Sequence, residues 1–374
     1  MGVAIRVAIR ADAAAAIGWG HAKRCLALAQ ALRAWGADVR FFSAASDVDA
    51  ASLVAAEGFA CTALPRWQGP AHDAAATAHA MSDHAAGGPP AVLVVDHYQL
   101  AADWHQALRQ ATGCAVVVID DLADRPLAAD LVIDHNPVRD AGAKYRPVLA
   151  QPSRLCAGPR YALLAPVYRD HARCQVGATL HSIGIFMGGS DPARHSQLAW
   201  RACREQADWQ GLIEIASTSS NPHLAGLRRL AESDRQTRLL IDQPDLAAFH
   251  QRHGLQIGAG GGALWERCCL GVPTLALVCA DNQRHSVPRL AEAGVVLGLD
   301  ASSHRVDSPD GRLLAPLGQA IRALVESPGL RQQLQQRSIA WVDGLGADRA
   351  AAAVLALAGR AGRRNTPLPA CEAA

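Results

Sequence analysis

A histidine stands at the entrance of the first predicted helix, directly after a glycine-rich turn. The turn, Gly18-Trp19-Gly20-His21, links an apolar strand to a helical pattern. Imidazole titrates near neutral pH and the amides of a helix N-terminus favour an anion, so His21 is the candidate general base. Alternatively, His21 only caps the helix, or forms half of a metal site with Cys25. No second pair with ligand spacing follows in the sequence, so we expect no metal.

Four glycines in five residues form a second candidate site, Gly258-Ala259-Gly260-Gly261-Gly262, between a predicted strand and a predicted helix. Such a turn brings bare amides and the positive end of a helix to a diphosphate. Glu266 follows within the helix, where its carboxylate would accept hydrogen bonds from two ribose hydroxyls. The alternative is a favourable charge near a helix start. Asn282 and Gln283 follow the next strand and would complete the anion or sugar contacts.

Further polar residues follow other predicted strands. The turn Gly188-Gly189-Ser190-Asp191 would hold a phosphate, although strand-to-helix turns also use these residue types for structural reasons. In the first half, carboxylates follow three strands: Asp96 with Tyr98, Asp120 with Asp121, and Asp134. They fit acid–base work or a metal, and equally helix capping and loop orientation. The sequence alone does not single out one of them as an acid.

The elements that position these residues alternate between strands and helices. Strands such as 91–95 and 115–119 are near-continuous apolar runs, which is typical of a buried parallel sheet. Ligands of such sheets bind beyond the carboxyl ends of the strands, where the motifs fall. Residues 66–90 are polar, and we predict an irregular segment there. We predict two α/β domains, 1–175 with the histidine and 176–358 with the glycine turns, and a disordered tail over 359–374.

Composition narrows the class of protein. The chain has 374 residues, 50% of them hydrophobic, and a formal net charge of +2. A chain with so small a net charge does not indicate the basic surface that binds nucleic acid or an acidic membrane. Apolar runs stay far below the roughly 18 residues that span a bilayer, and we expect no signal peptide. The ten cysteines include no C-x-x-C pair, which favours reduced thiols in a cytoplasmic protein without stable membrane association.

Taken in order along the chain, the motifs resemble the PseG family, the bacterial UDP-2,4-diacetamido-2,4,6-trideoxy-β-L-altropyranose hydrolases of pseudaminic acid (nonulosonic acid) biosynthesis. The matching positions are Arg10, Asp12, Gly18, Gly20, His21, Arg24 and Cys25, then Asp96 to Leu100, Ile119 to Arg125, Gly158 to Leu164, Gly188 to Pro192, Gly258 to Gly271 and Ala280 to Gln283. The chain departs from the family at Ala193-Arg194-His195, where Asn is common, and at Asp134-His135-Asn136, where Gln is usual in the middle.

The resemblance implies a GT-B fold, with two Rossmann-like domains facing a cleft and UDP held by the second. It implies metal-independent hydrolysis, in which water displaces UDP at the anomeric carbon with inversion and His21 is the catalytic base. The substrate would be a UDP-activated deoxy amino sugar, and we expect a monomer that needs no cofactor. The substrate-binding residues would be Arg10, Asp12, Gly20, Asp96, Tyr98, Gly189, Ser190, Asp191, Gly260, Gly261, Gly262, Trp265, Glu266, Asn282 and Gln283.

Two other functions fit the same motifs. A glycosyltransferase of this fold would pass the sugar to an acceptor instead of to water. A non-catalytic binding protein would hold a nucleotide sugar without changing it, but such a protein would not need a general base at His21. A UDP-release assay without acceptor separates the three functions.

Overall fold

A computed structural model of the chain describes residues 4–12, 20–44, 50–83, 88–303 and 312–361. The strands are β1 (Arg6–Ala11), β2 (Asp38–Ala44), β3 (Ala60–Leu64), β4 (Val92–Asp96), β5 (Ala115–Ile119), β6 (Leu131–Asp134), β7 (Arg154–Ala157), β8 (Ser182–Phe186), β9 (Leu212–Ser217), β10 (Thr237–Ile241), β11 (Leu255–Ala259), β12 (Thr274–Val278) and β13 (Leu297–Asp300).

The α-helices are α1 (Gly20–Ala34), α2 (Ala50–Ala56), α3 (Pro70–Asp83), α4 (Ala102–Thr112), α5 (Ala141–Tyr145), α6 (Pro166–Asp170), α7 (His195–Arg201), α8 (Leu224–Ser233), α9 (Ala247–Gln251), α10 (Gly262–Cys269), α11 (Ser286–Glu292), α12 (Leu314–Glu326), α13 (Pro328–Trp341) and α14 (Gly346–Ala361). Short 3₁₀ turns lie at Pro159–Tyr161 and Asp281–Gln283, and a π-helical turn at Ala202–Gln206 continues α7.

The first sheet has seven parallel strands within the described residues, in the order β3-β2-β1-β4-β5-β6-β7. β1 and β4 are neighbours, and the order of strand addition reverses between them. Their register pairs Ala11 with Asp96, so the residues that follow these two strands start side by side. β4 is buried along its whole length, because helices cover both faces of a parallel sheet. The predicted parallel α/β sheet is confirmed.

The second sheet repeats this arrangement with six parallel strands among the described residues, in the order β10-β9-β8-β11-β12-β13. Here the order of addition reverses between β8 and β11, whose register pairs Phe186 with Gly258. The glycine turn therefore leaves the sheet beside the end of β8. Ligands of open α/β sheets bind at such reversal points, beyond the carboxyl ends of the strands.

The chain forms two compact units, and they differ in extent from the predicted domains. One unit comprises Met1–Pro166 with Leu345–Ala374, and the other comprises Val167–Gly344. The predicted second domain, 176–358, therefore begins later than the second unit and includes a helix, α14, that belongs to the first. α14 packs against α1, and its buried face is largely alanine, which allows two helices to approach closely. α14 ends at Ala361, inside the predicted tail, and residues 362–374 lie outside the described residues.

The prediction of an irregular segment over 66–90 is wrong, because Pro70–Asp83 forms α3. Its buried face carries Asp73, Ala74, Thr77 and Met81, which is too polar a set to produce an apolar helical period. Asp73 is buried because Arg10 in β1 pairs with it. Arg10, the residue that makes burial of this polar helix face possible, is 63 positions from Asp73 in the sequence.

None of the helices in the described parts of the chain combines the length and the apolar character needed to cross a membrane.

Candidate active site

His21 is held by a carboxylate at the end of the neighbouring strand β4. Its Nδ1 lies 2.6 Å from Oδ1 of Asp96, and both side chains are buried. An ionised carboxylate only accepts, so Nδ1 carries the proton and donates it. The Nε2 lone pair of the ring is then the acceptor, and it makes no hydrogen bond within the described residues. A general base requires this tautomer, with a free acceptor nitrogen.

Arg24 keeps Asp96 ionised. Its Nε donates to Oδ2 at 2.6 Å and its Nη2 donates to Oδ1 at 2.5 Å. Burial by itself would raise the pKa of Asp96, but the charge of Arg24, followed by the contact with His21, outweighs it, and that pKa lies well below its usual range. Arg24 is three residues after His21 in α1, so the two side chains share a helix face. The sequence contained this signal, although Arg24 was not among the predicted site residues.

Tyr98 and Asp121 complete the surroundings of the histidine. The Tyr98 ring meets His21 edge-on, with 4.7 Å between ring centroids, and its hydroxyl donates to Asp121 Oδ2 at 3.2 Å. The same Asp121 oxygen lies 3.7 Å from Arg24 Nη1. Burial, and then the charge of Asp121, raise the pKa of the Tyr98 hydroxyl, so it stays a neutral hydrogen-bond donor. His21, Arg24, Asp96, Tyr98 and Asp121 thus converge at the carboxyl ends of β4 and β5.

The remaining strand-end carboxylates have structural partners. Asp120 accepts from Arg125 at 2.7 Å and from the amide of Ala123 at 2.7 Å. Asp134 pairs with Lys144 at 2.7 Å and accepts from the Tyr145 hydroxyl at 3.1 Å. For these two, the structure favours the alternative of loop orientation over acid–base work. Of the set, Asp96 and Asp121 are the carboxylates that surround His21.

Arg10 and Asp12, both predicted to bind substrate, form the layer beneath this site. The Arg10 guanidinium is fully buried between Asp12, at 2.5 and 2.9 Å, and Asp73, at 2.6 Å. Asp12 also accepts the amide of Ala44 at 2.8 Å and lies 3.3 Å from His97 Nε2. Burial would raise the pKa of Asp12, but the His97 and Arg10 hydrogen bonds hold it well below its usual range. Arg10 therefore stabilises the ends of the strands. Its role is to position Asp12 and Asp73, and not the predicted contact with substrate.

His97 and Asp73 were not predicted as functional residues. The imidazole of His97 stacks on Trp67, with 5.0 Å between ring centroids, and its Nδ1 accepts the amide of Gln99. Both of its nitrogens are therefore engaged, so His97 orients Asp12 and is not available as a base. Its position next to Asp96 was the signal in the sequence, whereas Asp73 had none.

Gly20 begins α1, and an added Cβ there would meet nothing within 4 Å. The preceding residues of the motif, including Gly18, lie outside the described residues. In the part of the chain that is described, no group of three or more His, Cys, Asp or Glu side chains is arranged to hold a metal ion.

In the second unit, the glycine turn is packed against the residues that follow β12. The Gly260 amide donates to Leu277 O at 2.9 Å and to Gln283 Oε1 at 3.2 Å, and the same Gln283 oxygen accepts the Cys279 amide at 2.8 Å. A Cβ on Gly260 would lie 2.3 Å from Val287 Cγ2, so only glycine fits. Gln283 thus fixes the turn through its side-chain oxygen. Asn282, beside it, is exposed.

Gly261 caps α10 and Gly262 begins it, and both lie at the accessible end of the helix. The amides of a first helical turn have no acceptor within their own helix, so they are available to an anion. A Cβ on Gly262 would meet nothing within 4 Å, and the space above the turn is open. Gly261 and Gly262 are the part of the turn that is open to an anion, and the diphosphate site there stays a prediction.

Glu266 lies one turn further along α10 and contacts a buried histidine. Its Oε2 lies 3.2 Å from His250 Nε2, while His250 Nδ1 lies 2.8 Å from Gln256 Oε1. The Gln256 amide group donates to the carbonyls of Phe249 and His250, so its oxygen faces the imidazole and Nδ1 must be the donor. A hydrogen bond between His250 Nε2 and the Glu266 carboxyl requires a proton between the two atoms. Glu266 and His250 therefore share one proton. This contact fixes the direction of the Glu266 side chain.

Trp265 and Asp191 have structural roles instead of the predicted ligand contacts. Trp265 is 3% exposed and belongs to the interior of the unit. Asp191 is buried, and its two oxygens accept the amides of His195 and Ser196 at 2.8 and 2.9 Å, which caps α7. The Gly189 carbonyl is occupied by the Thr218 hydroxyl at 2.8 Å, which leaves Ser190 as the accessible polar side chain of this turn.

Two parallel α/β units, each with polar residues where the order of strand addition reverses, define the GT-B fold class. The chain aligns with Acinetobacter baumannii MurG with a TM-score of 0.62 at 14% identity, covering 94% of this chain and 99% of that one. It aligns with LpCGTa, solved in complex with UDP, with a TM-score of 0.64 at 12% identity, covering 95% and 99%. The predicted fold class is confirmed.

The chain is similar in sequence to the UDP-2,4-diacetamido-2,4,6-trideoxy-β-L-altropyranose hydrolase of Campylobacter jejuni. The two are 25% identical over 292 residues, which is 78% of this chain and 97% of the relative. It is also 26% identical over 202 residues, 58% of the relative's length, to the spore coat polysaccharide biosynthesis protein SpsG of Bacillus subtilis. No protein-family model matches the chain. The resemblance to the PseG hydrolases is confirmed, and it supports an enzyme of nucleotide-sugar processing.

Proposed function

We propose that the protein is a hydrolase that releases UDP from a UDP-linked 2,4-diacetamido-2,4,6-trideoxy sugar, in pseudaminic or another nonulosonic acid biosynthesis. The observation that carries the proposal is the 2.6 Å contact between His21 Nδ1 and Asp96, which leaves Nε2 as a proton acceptor. The similarity to the C. jejuni hydrolase over 292 residues supports the choice of substrate. We further propose that the protein acts as a monomer in the cytoplasm.

His21 would activate water in the first unit. A water molecule gives its proton to Nε2 as its oxygen bonds to the anomeric carbon, and the bond from that carbon to the UDP oxygen breaks. The attack comes from the face opposite UDP, so the configuration inverts. His21 becomes an imidazolium, and Asp96 stabilises that charge through Nδ1. Tyr98, whose hydroxyl proton is donated to Asp121, would orient the sugar or the water through its oxygen as an acceptor.

The second unit would hold UDP. Its diphosphate would accept hydrogen bonds from the amides of Gly261 and Gly262, at the positive end of α10, while the Gly260 amide stays bonded within the unit. The leaving UDP is stabilised there by groups that need no reorganisation, which reduces the need for a protein acid. Glu266, oriented by His250, would accept the ribose hydroxyls, and Ser190 and Asn282 would add polar contacts.

A glycosyltransferase is the second candidate. The fold neighbours include structures of glycosyltransferases, among them one from Rickettsia africae at a TM-score of 0.63 and 10% identity. In that case His21 would deprotonate an acceptor hydroxyl, and the same side chains would serve both reactions. The difference lies in whether an acceptor is needed for UDP release.

The experiment measures UDP release from purified UDP-deoxy amino sugars without any acceptor, in heavy-oxygen water. The proposal expects turnover, one heavy oxygen at the anomeric carbon of the sugar, and an inverted anomer by NMR immediately after cleavage. Release only after adding an acceptor would establish a transferase, and no release with tight UDP binding would establish a binding protein.

The matched variants are H21A and H79A. His79 is an exposed histidine of the same unit, on α3, with 79% of its side chain accessible. H21A is expected to lose at least a hundredfold in kcat, the lower end of what a general base contributes, with UDP binding intact. H79A is expected to retain full turnover. Normal turnover by H21A would show that His21 is not the base.

A further inference from the structure

Arg267 is a buried cation that forms no ion pair with a carboxylate of the described residues. It lies in α10 and is fully buried. Its Nη2 donates to Ala259 O at 2.8 Å, whereas Nε and Nη1 are buried and have no hydrogen-bond partner among the described residues. Burial lowers its pKa to about 10, so the side chain still carries its charge at neutral pH.

The guanidinium lies at the reversal point of the second sheet. A Cβ placed on Gly258 would be 2.4 Å from Arg267 Nη1 and 2.7 Å from the carbonyl oxygen of Phe186. Phe186 ends β8 and Gly258 is its partner on β11, so the charge is seated against the backbone where these two strands end. Gly258 is thus required to make room for the arginine.

Arg331 shows what a satisfied buried arginine looks like in the same unit. It is 1% exposed and likewise pairs with no carboxylate in the described part of the chain, yet it donates to four backbone carbonyls. Nη1 reaches Leu324 O at 2.6 Å and Val325 O at 2.9 Å, while Nη2 reaches Gly177 O and Ala178 O at 3.0 Å each. Arg267 has one such acceptor. Arg331 thus ties several chain segments together, whereas Arg267 holds a single carbonyl, that of Ala259.

A buried charge without a partner is unfavourable, because burial removes its hydration and nothing replaces it. An anion that binds nearby offsets that cost. Binding thereby relieves the unfavourable free energy of the unpaired charge, and the anion binds more tightly as a result. The helical end of the glycine turn, at Gly261 and Gly262, is partly exposed, and the amides there are available to an anion. An anion bound to those amides would supply a negative charge near Arg267 without contacting its side chain.

We propose that Arg267 is a positioning residue that supplies the fixed counter-charge for the diphosphate of a nucleotide bound on the glycine turn. The inference rests on the proposed binding of UDP by this unit. Its charge acts on the phosphates and not on the uridine, so it favours UDP over UMP and UMP over uridine. Through Nη2 it also holds the Ala259 carbonyl and with it the direction of the turn.

The test measures the dissociation constants of UDP, UMP and uridine by calorimetry or NMR titration, for the intact chain and three variants. R267M, which keeps length but removes charge, is expected to bind UDP at least tenfold more weakly, about 1.4 kcal/mol, and uridine unchanged. R267K is expected to retain most of the UDP affinity. R331M is the control, with a lower melting temperature and an unchanged ratio of UDP to uridine affinity.

The ratio within one variant separates this role from a purely structural one. An R267M protein that binds UDP as tightly as the parent, or loses UDP and uridine affinity to the same degree, would overturn the inference. If R267M does not fold, R267Q gives the same comparison. A parent protein that binds none of the three ligands would instead refute the proposed nucleotide site, and the inference with it.

Discussion

Replacing Asp96 by Asn probes the proposed base directly. Asn is similar in size, so the cavity is preserved, but its side chain has no charge and its amide group can donate. The carboxylate now fixes the tautomer of His21 and would stabilise the imidazolium that forms in the transition state. In D96N both effects are lost, while Arg24 remains 3.2 Å from His21 Nδ1. Arg24 still has Asp121 at 3.7 Å, so it is not left without a carboxylate.

The expected magnitude follows from the contact distances. A hydrogen bond to a charged group contributes about 1.5–3 kcal/mol. The attraction between two unit charges about 4 Å apart is about 4 kcal/mol at an effective dielectric constant near 20. The two figures bracket the loss, and about 1.4 kcal/mol corresponds to a tenfold change in rate. We therefore expect kcat for UDP release to fall by roughly 10- to 1000-fold, with the affinity for UDP unchanged.

The assay is steady-state UDP release, corrected for the folded fraction by circular dichroism, with UDP binding measured in parallel. D130N is the matched control, because Asp130 forms a two-contact ion pair with Arg109 at 2.8 and 3.1 Å in the same unit. Asp130 also accepts the amide of Val116, at the start of β5 and therefore at the other end of the strands. A folded D96N protein with kcat within threefold of the parent would refute the reasoning. An equal loss in D130N would assign the effect to stability.

Two further predictions concern the glycine turn and acid stability. In G260A the new Cβ lies 2.3 Å from Val287 Cγ2, so the free energy of unfolding should fall by about 1–3 kcal/mol, and UDP affinity should fall with it. G262A is the control, because open space surrounds its Cβ and its stability should be unchanged. Equal melting temperatures of the two variants would contradict this prediction. Burial, and then Arg125 and Arg109, lower the pKa of His105 to about 3, so the unfolded chain, with histidine near pKa 6.5, binds the extra proton below that pH. The free energy of unfolding should thus decrease as pH falls from about 6.5 to about 3, by up to about 1.4 kcal/mol per pH unit. Urea titrations of H105Q should show a smaller slope, and an identical slope would exclude His105 as the cause.

Candidate site residues that belong to a short local sequence pattern were predictable. His21 follows a glycine turn, Asp96 and Tyr98 end a strand, and the four glycines precede a helix. Each is a local pattern, set by the few residues on either side, and the structure brings them to the strand ends as expected. Their roles in substrate binding stay predictions.

Residues whose role depends on a distant partner were not predictable. Asp73 is buried in α3 only because Arg10 pairs with it, so the segment looked irregular. Arg10 and Asp191 were expected to touch ligand, but their charged groups are used by a buried ion pair and by a helix cap. The role of Arg267 depends on which of its nitrogens find a partner in the folded chain: Nη2 bonds Ala259 O, while Nε and Nη1 have no partner among the described residues.

By itself, the sequence determined the parallel α/β class, the turns that follow the strands and the identity of the candidate base. Short-range periodicity and glycine spacing encode these features, because they depend on neighbours along the chain. The tertiary structure decided which polar groups are already satisfied and which remain open to a ligand. It also decided that α14 joins the first unit. Hydrogen bonds and burial are settled by residues that are distant in sequence, and only the folded chain brings those together.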